Sequence, residues 1–381
     1  WFENKGFKPI GNSTTNFIGT YNGDGYKIDY LTINRPNGVG IGFFGLLNDG
    51  AEIKKLSITN ADITGESYVG GLAGSAGSVT IIKCYTSGTV FASASTEDYA
   101  IVGGIVGYNE GNIHRSHTTA NTTSSGYHIG GLVGYNKGTI EDCYTKGKVK
   151  GTDHGRVGGF VGTNNNGTIK HSYSTGIVDC NNNIKGGFIA YNQGTINNCF
   201  WDTETSGLNH SEGGQGKTTS EMQNHLMFID NGWDFMNETE NGEEDIWGIN
   251  PNENKGYPFL KWQGFSYLEP HVINTGEVTN IDSVKATGEI VIPSTDTSSI
   301  IAHGICWSTQ SNPTLQDNHT DEGSVADTGV YVSNFSGLQP TTLYYARAYI
   351  STNDTTKYGK QVSFYTTPSF SVPAADGSES T

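Results

Sequence analysis

Charged residues are scarce in this chain, because Asp, Glu, Lys and Arg together make up only 16% of its 381 residues. Basic residues are the scarcer kind, with 22 Lys and Arg against 38 Asp and Glu and a net charge of −16. A field of that sign repels phosphate backbones, so we expect no nucleic-acid partner. The sequence also lacks an apolar run of about 18 residues, so we expect no membrane span. It opens on Trp1 without a signal-like segment, and we expect a mature or partial chain.

Cysteine is rare as well. The five cysteines are odd in number, and none lies in a CxxC or Cys/His cluster with zinc-ligand spacing. We therefore expect no disulfide framework, no metal site and no cofactor. A zinc peptidase needs an HExxH segment, which the sequence does not contain. A polysaccharide lyase or hydrolase needs clustered acids beside a base; here the acids are scattered and no Lys or Arg column accompanies them, so we predict a non-enzyme.

Glycine, by contrast, is abundant, at 53 residues, and much of it falls in a repeat. Five Gly-Gly segments recur at a spacing of about 28 residues, which is typical of stacked repeat architectures. Their second glycines are Gly71, Gly104, Gly131, Gly159 and Gly187. Because Gly, Asn, Thr and β-branched residues disfavour helix, we predict an all-β chain. Residues 1–208 are expected to form a right-handed parallel β-helix of about seven coils.

The units share a register, and that register predicts which side chains face inward. An Ile, a Cys or Ser, and a Thr are expected to point into each coil and to stack on their equivalents in the next. The Cys or Ser positions are Cys84, Ser116, Cys143, Ser172 and Cys199. Cysteines two coils apart lie about 9.6 Å from each other, beyond disulfide reach, so we predict reduced, packed thiols. The Asn before each Gly-Thr pair, at 136, 166 and 192, is expected to cap a turn and form an amide ladder.

The column after the Cys or Ser position is aromatic in most units. If the preceding column faces inward, an outward ladder follows that consists of Tyr85, His117, Tyr144, Tyr173 and Phe200. Such rings are candidate binding residues for a glycan or for a surface protein of a host or neighbouring cell, because they offer contact area at little cost in entropy. The alternative is that the stacked rings stabilise adjacent strands or pack beneath another segment of the chain. We expect the other histidines to be solvated surface residues.

The units GGLVGYNKGTIEDCYTKGKV and GGFVGTNNNGTIKHSYSTGIV resemble GLUG-motif repeats. Such repeats occur in bacterial surface proteins and in non-catalytic parts of some IgA-specific metallopeptidases. The resemblance covers roughly residues 6–263. It implies a surface or secreted role and no particular activity.

The period is lost after the last coil. Residues 209–265 are rich in aromatic side chains, and we expect a cap over the last coil with one short helix from about Lys217 to Ile229; the alternative is a glycan-stacking platform. Residues 270–367 alternate like strands of a β-sandwich. The segments GICWS and GLQPTTLYYARAY are similar to fibronectin type III-like modules of Bacteroidetes secreted proteins. That resemblance implies a corner tyrosine at Tyr344 or Tyr345 and a core position for Cys306, with residues 368–381 as a linker.

These features predict a non-catalytic structural or adhesive protein that is secreted or displayed on a bacterial surface. A stalk and a self-associating fibre subunit are both compatible with a stack of coils. The alternative is an accessory glycan-binding region of a larger secreted enzyme, either a polysaccharide lyase or hydrolase or an IgA-type peptidase.

Overall fold

The computed structural model describes residues 5–93, 100–151, 154–181, 184–236, 241–266, 273–292, 300–325, 327–352 and 356–369. The chain forms two compact units, of which the first comprises residues 1–235 and 239–266 and the second residues 236–238 and 267–381. None of the helices in the described ranges has the length and apolar character needed to cross a membrane.

The first unit is a parallel β-solenoid in which successive turns add strands to four parallel sheets. The first sheet has seven strands: Thr20–Asn22, Glu52–Lys54, Thr80–Ile82, Asn112–His114, Thr139–Glu141, Thr168–Lys170 and Thr195–Asn197. The second sheet follows it in each turn and is made of Lys27–Asp29, Thr32–Asn34, Ser57–Gly65, Tyr85–Ala92, His117–Thr118, Asn121–Ser124, Tyr144–Thr145, Val149–Lys150, Tyr173–Ser174, Val178–Asp179, Phe200–Asp202 and Gln215–Lys217.

The third and fourth sheets have six strands each. The third consists of Val39–Ile41, Ser67–Gly70, Ile101–Gly103, His128–Gly130, Arg156–Gly158 and Lys185–Gly186. The fourth consists of Phe44–Leu47, Ala73–Ala76, Val106–Asn109, Val133–Asn136, Val161–Asn164 and Ile189–Asn192. The predicted all-β solenoid is confirmed, with seven stacked strands in the first sheet and six in each of the third and fourth sheets.

Inward columns fill the solenoid as the register predicts. The Ile column is fully buried from Ile53 to Ile169, as are Thr86, Thr118 and Thr145, and the Cys/Ser column is at most 2% exposed. Ile196 in the last turn is partly buried. Burying each Ile is worth roughly 1.5–3 kcal/mol, so the column is a main source of stability. The backbone N–H of Cys84 donates to Ser116 Oγ at 3.0 Å, which places these two positions on consecutive turns. All five cysteines are buried, and Cys84, Cys143, Cys199 and Cys306 are free thiols. Burial raises the pKa of the Cys84 thiol to about 12. The predicted packed thiols are confirmed.

The paired glycines lie where neighbouring turns come closest. A Cβ atom on Gly104 would lie 2.3 Å from the carbonyl oxygen of Gly131, and one on Gly131 would lie 2.1 Å from that of Gly159. At Gly103, the first glycine of its pair, an added Cβ atom would lie 2.2 Å from the carbonyl oxygen of Val106. Only glycine fits such contacts without displacing backbone, which explains the diglycine repeat.

A buried amide ladder runs along the fourth sheet. The side chain of Asn109 donates to that of Asn136 at 2.8 Å, Asn136 donates to Asn164 at 2.9 Å, and Asn164 donates to Asn192 at 2.9 Å. The prediction of a ladder is confirmed, but its third member is Asn164 and not Asn166. The turn of that unit is one residue longer, and Asn166 occupies a left-handed backbone conformation in it.

The chain after the last turn has two parts. Residues around 210–217 cover the end of the solenoid, since Gly187 N–H donates to the carbonyl of His210 and Gln215–Lys217 pairs with Phe200–Asp202. Residues 218–236 and 241–266, called here the flanking segment, run along the side of the solenoid instead. The expected cap over the last coil is therefore correct for the first part and wrong for the aromatic part, which covers a lateral face.

Short elements make up this region. They are the helices Thr203–Ser206, Thr219–Met222 and His225–Ile229, the 3₁₀ turns Asn254–Gly256 and Lys261–Gln263, and the antiparallel strands Trp247–Gly248 and Phe259–Leu260. The predicted helix start is confirmed by a capping box between Thr218 and Glu221. The single helix expected there is two helices, because Asn224 caps a new start.

The second unit is an antiparallel β-sandwich. One sheet contains Asn274–Thr279, Lys285–Ile292 and Gly329–Ser336, and the other contains Ala302–Ser308, Asn318–His319, Leu343–Ser351, Thr356–Tyr358 and Val362–Tyr365. Cys306 is fully buried, as predicted. Of the two corner candidates, Tyr344 makes the bond: its hydroxyl accepts from the Gln339 N–H at 3.1 Å. Most of the predicted linker lies outside the described residues.

Candidate functional site

The aromatic column forms the stacked ladder that the sequence predicts. Ring centroids are 4.4 Å apart between Tyr85 and His117, 4.7 Å between His117 and Tyr144, and 5.0 Å between Tyr144 and Tyr173. The ring planes are within 18° of parallel in all three pairs. Phe200 continues the column in register with Tyr173. The ladder therefore stabilises the strands that carry it.

The flanking segment covers most of this ladder. His117 is 5% exposed, Tyr144 is 1% exposed, and Tyr173 and Phe200 are fully buried. The covering rings come from Phe228, Trp233, Trp247, Tyr257 and Trp262. The prediction of an exposed docking strip is therefore wrong at these four positions. The physical reason is that a continuous outward apolar strip is itself a favourable surface for the chain to bury. Tyr85 alone of the ladder remains half-exposed.

Specific hydrogen bonds fix the register of the flanking segment on the solenoid. Trp262 Nε1 donates to the carbonyl of Arg115 at 2.7 Å, and Trp233 Nε1 donates to that of Asn198 at 2.9 Å. Tyr144 donates to Gln263 Oε1 at 3.0 Å and Tyr173 to the carbonyl of Pro258 at 2.6 Å. The hydroxyl groups of Tyr144 and Tyr173 are thus satisfied by the cover, which makes one docked arrangement preferable to others.

His117 is the polar member of the ladder, and burial lowers its pKa to about 3. Its Nε2 atom lies 3.3 Å from Gln263 Nε2, while Nδ1 has no hydrogen-bond partner among the described residues. The expected outward exposure of His117 is wrong because the flanking segment lies over it. His128 is half-buried against Tyr135, and burial lowers its pKa to about 4.

A column of left-handed residues marks the corner between the first and second sheets. The backbone turns there through one residue per coil with φ between +42° and +55°. These residues are Lys55, Lys83, Arg115, Asp142, His171 and Asn198. The expectation that no Lys or Arg column exists is therefore corrected: the first three members are basic and lie on consecutive turns. Sequence spacing alone missed it, because residue types change along the column.

A cleft of about 560 Å³ lies between this corner column and the flanking segment. Asp142 is buried at its base, accepts a hydrogen bond from Trp247 Nε1 at 3.2 Å, and has its pKa raised to about 7 by burial. Arg115 reaches Glu244 across the cleft. Asp234 accepts the N–H groups of Glu244 and Asp245 at 3.1 Å each and so organises the loop. No group of three or more His, Cys, Asp or Glu side chains in the described ranges is arranged to hold a metal ion.

A second cavity, of about 570 Å³, opens where the flanking segment ends. Its lining includes Asp24, Lys55, Ser57, Lys83, Trp262 and Gln263. A smaller cavity of about 130 Å³ shares Lys83 and Trp262 with it and Arg115 with the first cleft. The three cavities follow one another along the corner column and form a groove beside it.

The fold and the interior ladders define a β-solenoid repeat protein. Two of its turns, at residues 125–150 and 153–179, match the model described as "The GLUG motif", so the chain carries GLUG-motif repeats.

Two curated proteins are similar to this chain. Halomucin from Haloquadratum walsbyi is 27% identical over 305 residues, which is 75% of this chain and 3% of that protein. A putative Gly-rich membrane protein from Evansella cellulosilytica is 30% identical over 145 residues, which is 36% of this chain and 15% of that protein. The chain thus spans a small fraction of the relatives it matches.

Among solved structures, the fibronectin type III domain of the human KIAA0970 protein is 16% identical and covers 27% of this chain and 79% of its own, with a TM-score of 0.20. A likeness of that degree carries no argument about function.

Proposed function

We propose that this chain is a non-catalytic structural and adhesive module of a secreted or cell-surface protein. The observation that carries the proposal is the continuity of the interior ladders, in which hydrogen-bonded asparagines and buried columns link consecutive turns. Such linkage makes a stiff rod that lengthens by about 4.8 Å per turn. The names of the relatives, a halomucin and a Gly-rich membrane protein, support a surface location.

The β-sandwich serves in this proposal as a connector, in keeping with its resemblance to fibronectin type III-like modules of Bacteroidetes. The partner is a glycan or a surface protein of a host or neighbouring cell, and copies of the rod associate into fibres. Because most of the ladder is covered, a binding surface has to be sought beside the flanking segment and not on the ladder itself.

A second candidate is an accessory glycan-binding region of a larger secreted enzyme. The groove along the corner column favours it, because charged and aromatic side chains line an open cavity there.

The test uses beads coated with the chain, in flow over immobilised polysaccharides and cell-surface glycoproteins. We expect retention of beads without release of sugar products. Product release would contradict the non-catalytic assignment, and failure of retention on every surface would contradict the adhesive one.

The rod itself is tested by deleting residues 52–79, which joins Ala51 to Thr80 in register because Glu52 and Thr80 are partners. We expect a folded protein whose scattering profile shows a rod shorter by about 4.8 Å. Deletion of residues 52–65 breaks the register and serves as the matched control, which should not fold. If both deletions behave alike, the modular rod is refuted.

A further inference from the structure

The second cavity remains open because the ladder and its cover both end there. The column that is aromatic from Tyr85 to Phe200 continues toward the N-terminus as Ser57, in register with Tyr85. A hydroxymethyl group in place of a ring leaves space beneath the edge of the flanking segment. A volume of about 570 Å³ is within the range of roughly 300–1,000 Å³ found for small-molecule sites.

Two unpaired cations face this space. Lys55 and Lys83 occupy the left-handed corner on consecutive turns, about 4.8 Å apart along the solenoid. The nearby Lys54 is held by Glu52 at 2.9 Å, and Lys261 is held by Asp245 at 3.0 Å. Within the described residues, neither Lys55 nor Lys83 has a carboxylate at ion-pair distance. Their charges are therefore available to a ligand.

A rigid aromatic wall stands beside the lysines. The indole of Trp262 is fixed by its hydrogen bond to the Arg115 carbonyl and by its contact with the His117 ring at 5.4 Å. Gln263 beside it accepts from Tyr144 and from the Leu260 N–H. An immobilised ring binds the flat face of a sugar at little cost in conformational entropy.

The lining of the cavity also includes one acid, Asp24, which is exposed. It reduces the positive potential of the cavity but does not neutralise the combined charge of the two lysines. The rest of the protein, with a net charge of −16, repels polyanions in general. Binding of an anionic ligand here must therefore come from this local arrangement.

We propose that this cavity binds an anionic oligosaccharide, with a sugar ring on Trp262 and successive carboxylate or sulfate groups on Lys55 and Lys83. Acidic sugars combine a flat ring with a negative charge repeated along the chain, and the two lysines repeat along the solenoid in the same way. An acidic peptide has the charges without the ring. The inference extends the adhesive part of the proposed function, and the rod and the absence of turnover stand independently of it.

The experiment is calorimetric titration of the full chain with tetragalacturonate, maltotetraose and hexaglutamate at low and high salt. We expect binding of tetragalacturonate that weakens with salt, and little binding of the other two. Lys83→Gln and Lys55→Gln should each weaken it about fivefold, while Lys83→Arg should retain it. Asp24→Asn should strengthen it about threefold, because it removes the one repelling charge in the lining.

The matched control is Lys150→Gln, which removes an exposed lysine from the second sheet away from the cavity. It should leave the affinity unchanged. Absence of tetragalacturonate binding, equal binding of maltotetraose or hexaglutamate, or an equal loss in Lys150→Gln would each overturn the proposal. Bead adhesion and rod length are measured separately, so failure here is distinguishable from failure of the proposed function.

Discussion

Replacement of His117 by Phe is expected to make the solenoid more resistant to acid. The imidazole stacks between Tyr85 and Tyr144 beneath the flanking segment, and burial lowers its pKa from 6.5 to about 3. The unfolded chain therefore binds a proton at pH 4 that the folded chain does not. Stability from this group is present above pH 6.5 and is lost as the pH falls.

The size of the effect follows from the shift in pKa. Each pH unit below 6.5 costs the folded state about 1.4 kcal/mol until the folded pKa is approached, so the loss between pH 7.5 and pH 4 is about 3 kcal/mol. His117→Phe removes this loss and keeps an aromatic ring in the ladder. At pH 7.5 we expect the two proteins to differ by less than about 1.5 kcal/mol, since ring volume is nearly conserved.

The assay is urea unfolding followed by tryptophan fluorescence at several pH values, because Trp233, Trp247 and Trp262 all lie in the cover over the ladder. The quantity of interest is the difference between variant and wild type, since other titrating groups are common to both. Phe200→Leu, which changes a ladder ring that carries no titrating group, is the control and should show a difference that does not change with pH. If His117→Phe also showed a constant difference, the buried neutral imidazole would be refuted.

Three further predictions concern stability. Burial raises the pKa of Asp142 from 3.8 to about 7. The free energy of unfolding should therefore fall by about 4 kcal/mol as the pH rises from 4 to 8, and Asp142→Asn should remove this pH dependence in urea titrations. Asn136→Ala should lower the free energy of unfolding by about 3 kcal/mol, because it removes both ladder hydrogen bonds and leaves the buried Oδ1 of Asn164 without its donor. Gly131→Ala should prevent soluble expression or lower the melting temperature sharply, whereas Gly19→Ala, whose Cβ meets only a ring at 3.5 Å, should not.

The interior of the solenoid was predictable from the sequence because its constraints repeat. Cys84, Ser116 and Cys143 fall at the same place in each unit, and each must fit the same small volume between turns. The diglycines repeat for the same reason, since each stacks on the next. Because several units give the same inward position, the assignment of that position can be checked within the sequence itself. The prediction of reduced thiols followed directly from this assignment.

The cover over the ladder was not predictable in this way. The hydrogen bond from Trp262 to Arg115 joins residues 147 positions apart, and it occurs once. The corner column was hidden for another reason. Its backbone conformation repeats, but Lys55, Lys83 and Arg115 are not residue types that favour the left-handed region, so tertiary packing and not local propensity imposes it there.

The residue types in one outward column change where the flanking segment ends. Read along the second sheet by register, that column is Lys27, Ser57, Tyr85, His117, Tyr144, Tyr173 and Phe200. The side chains become polar where the flanking segment stops and aromatic where it lies on them. An aromatic run in one column of a solenoid therefore indicates a surface that the chain covers itself. The position at which the run ends, where a ring is half-exposed beside unpaired charges, is the better place to look for a ligand.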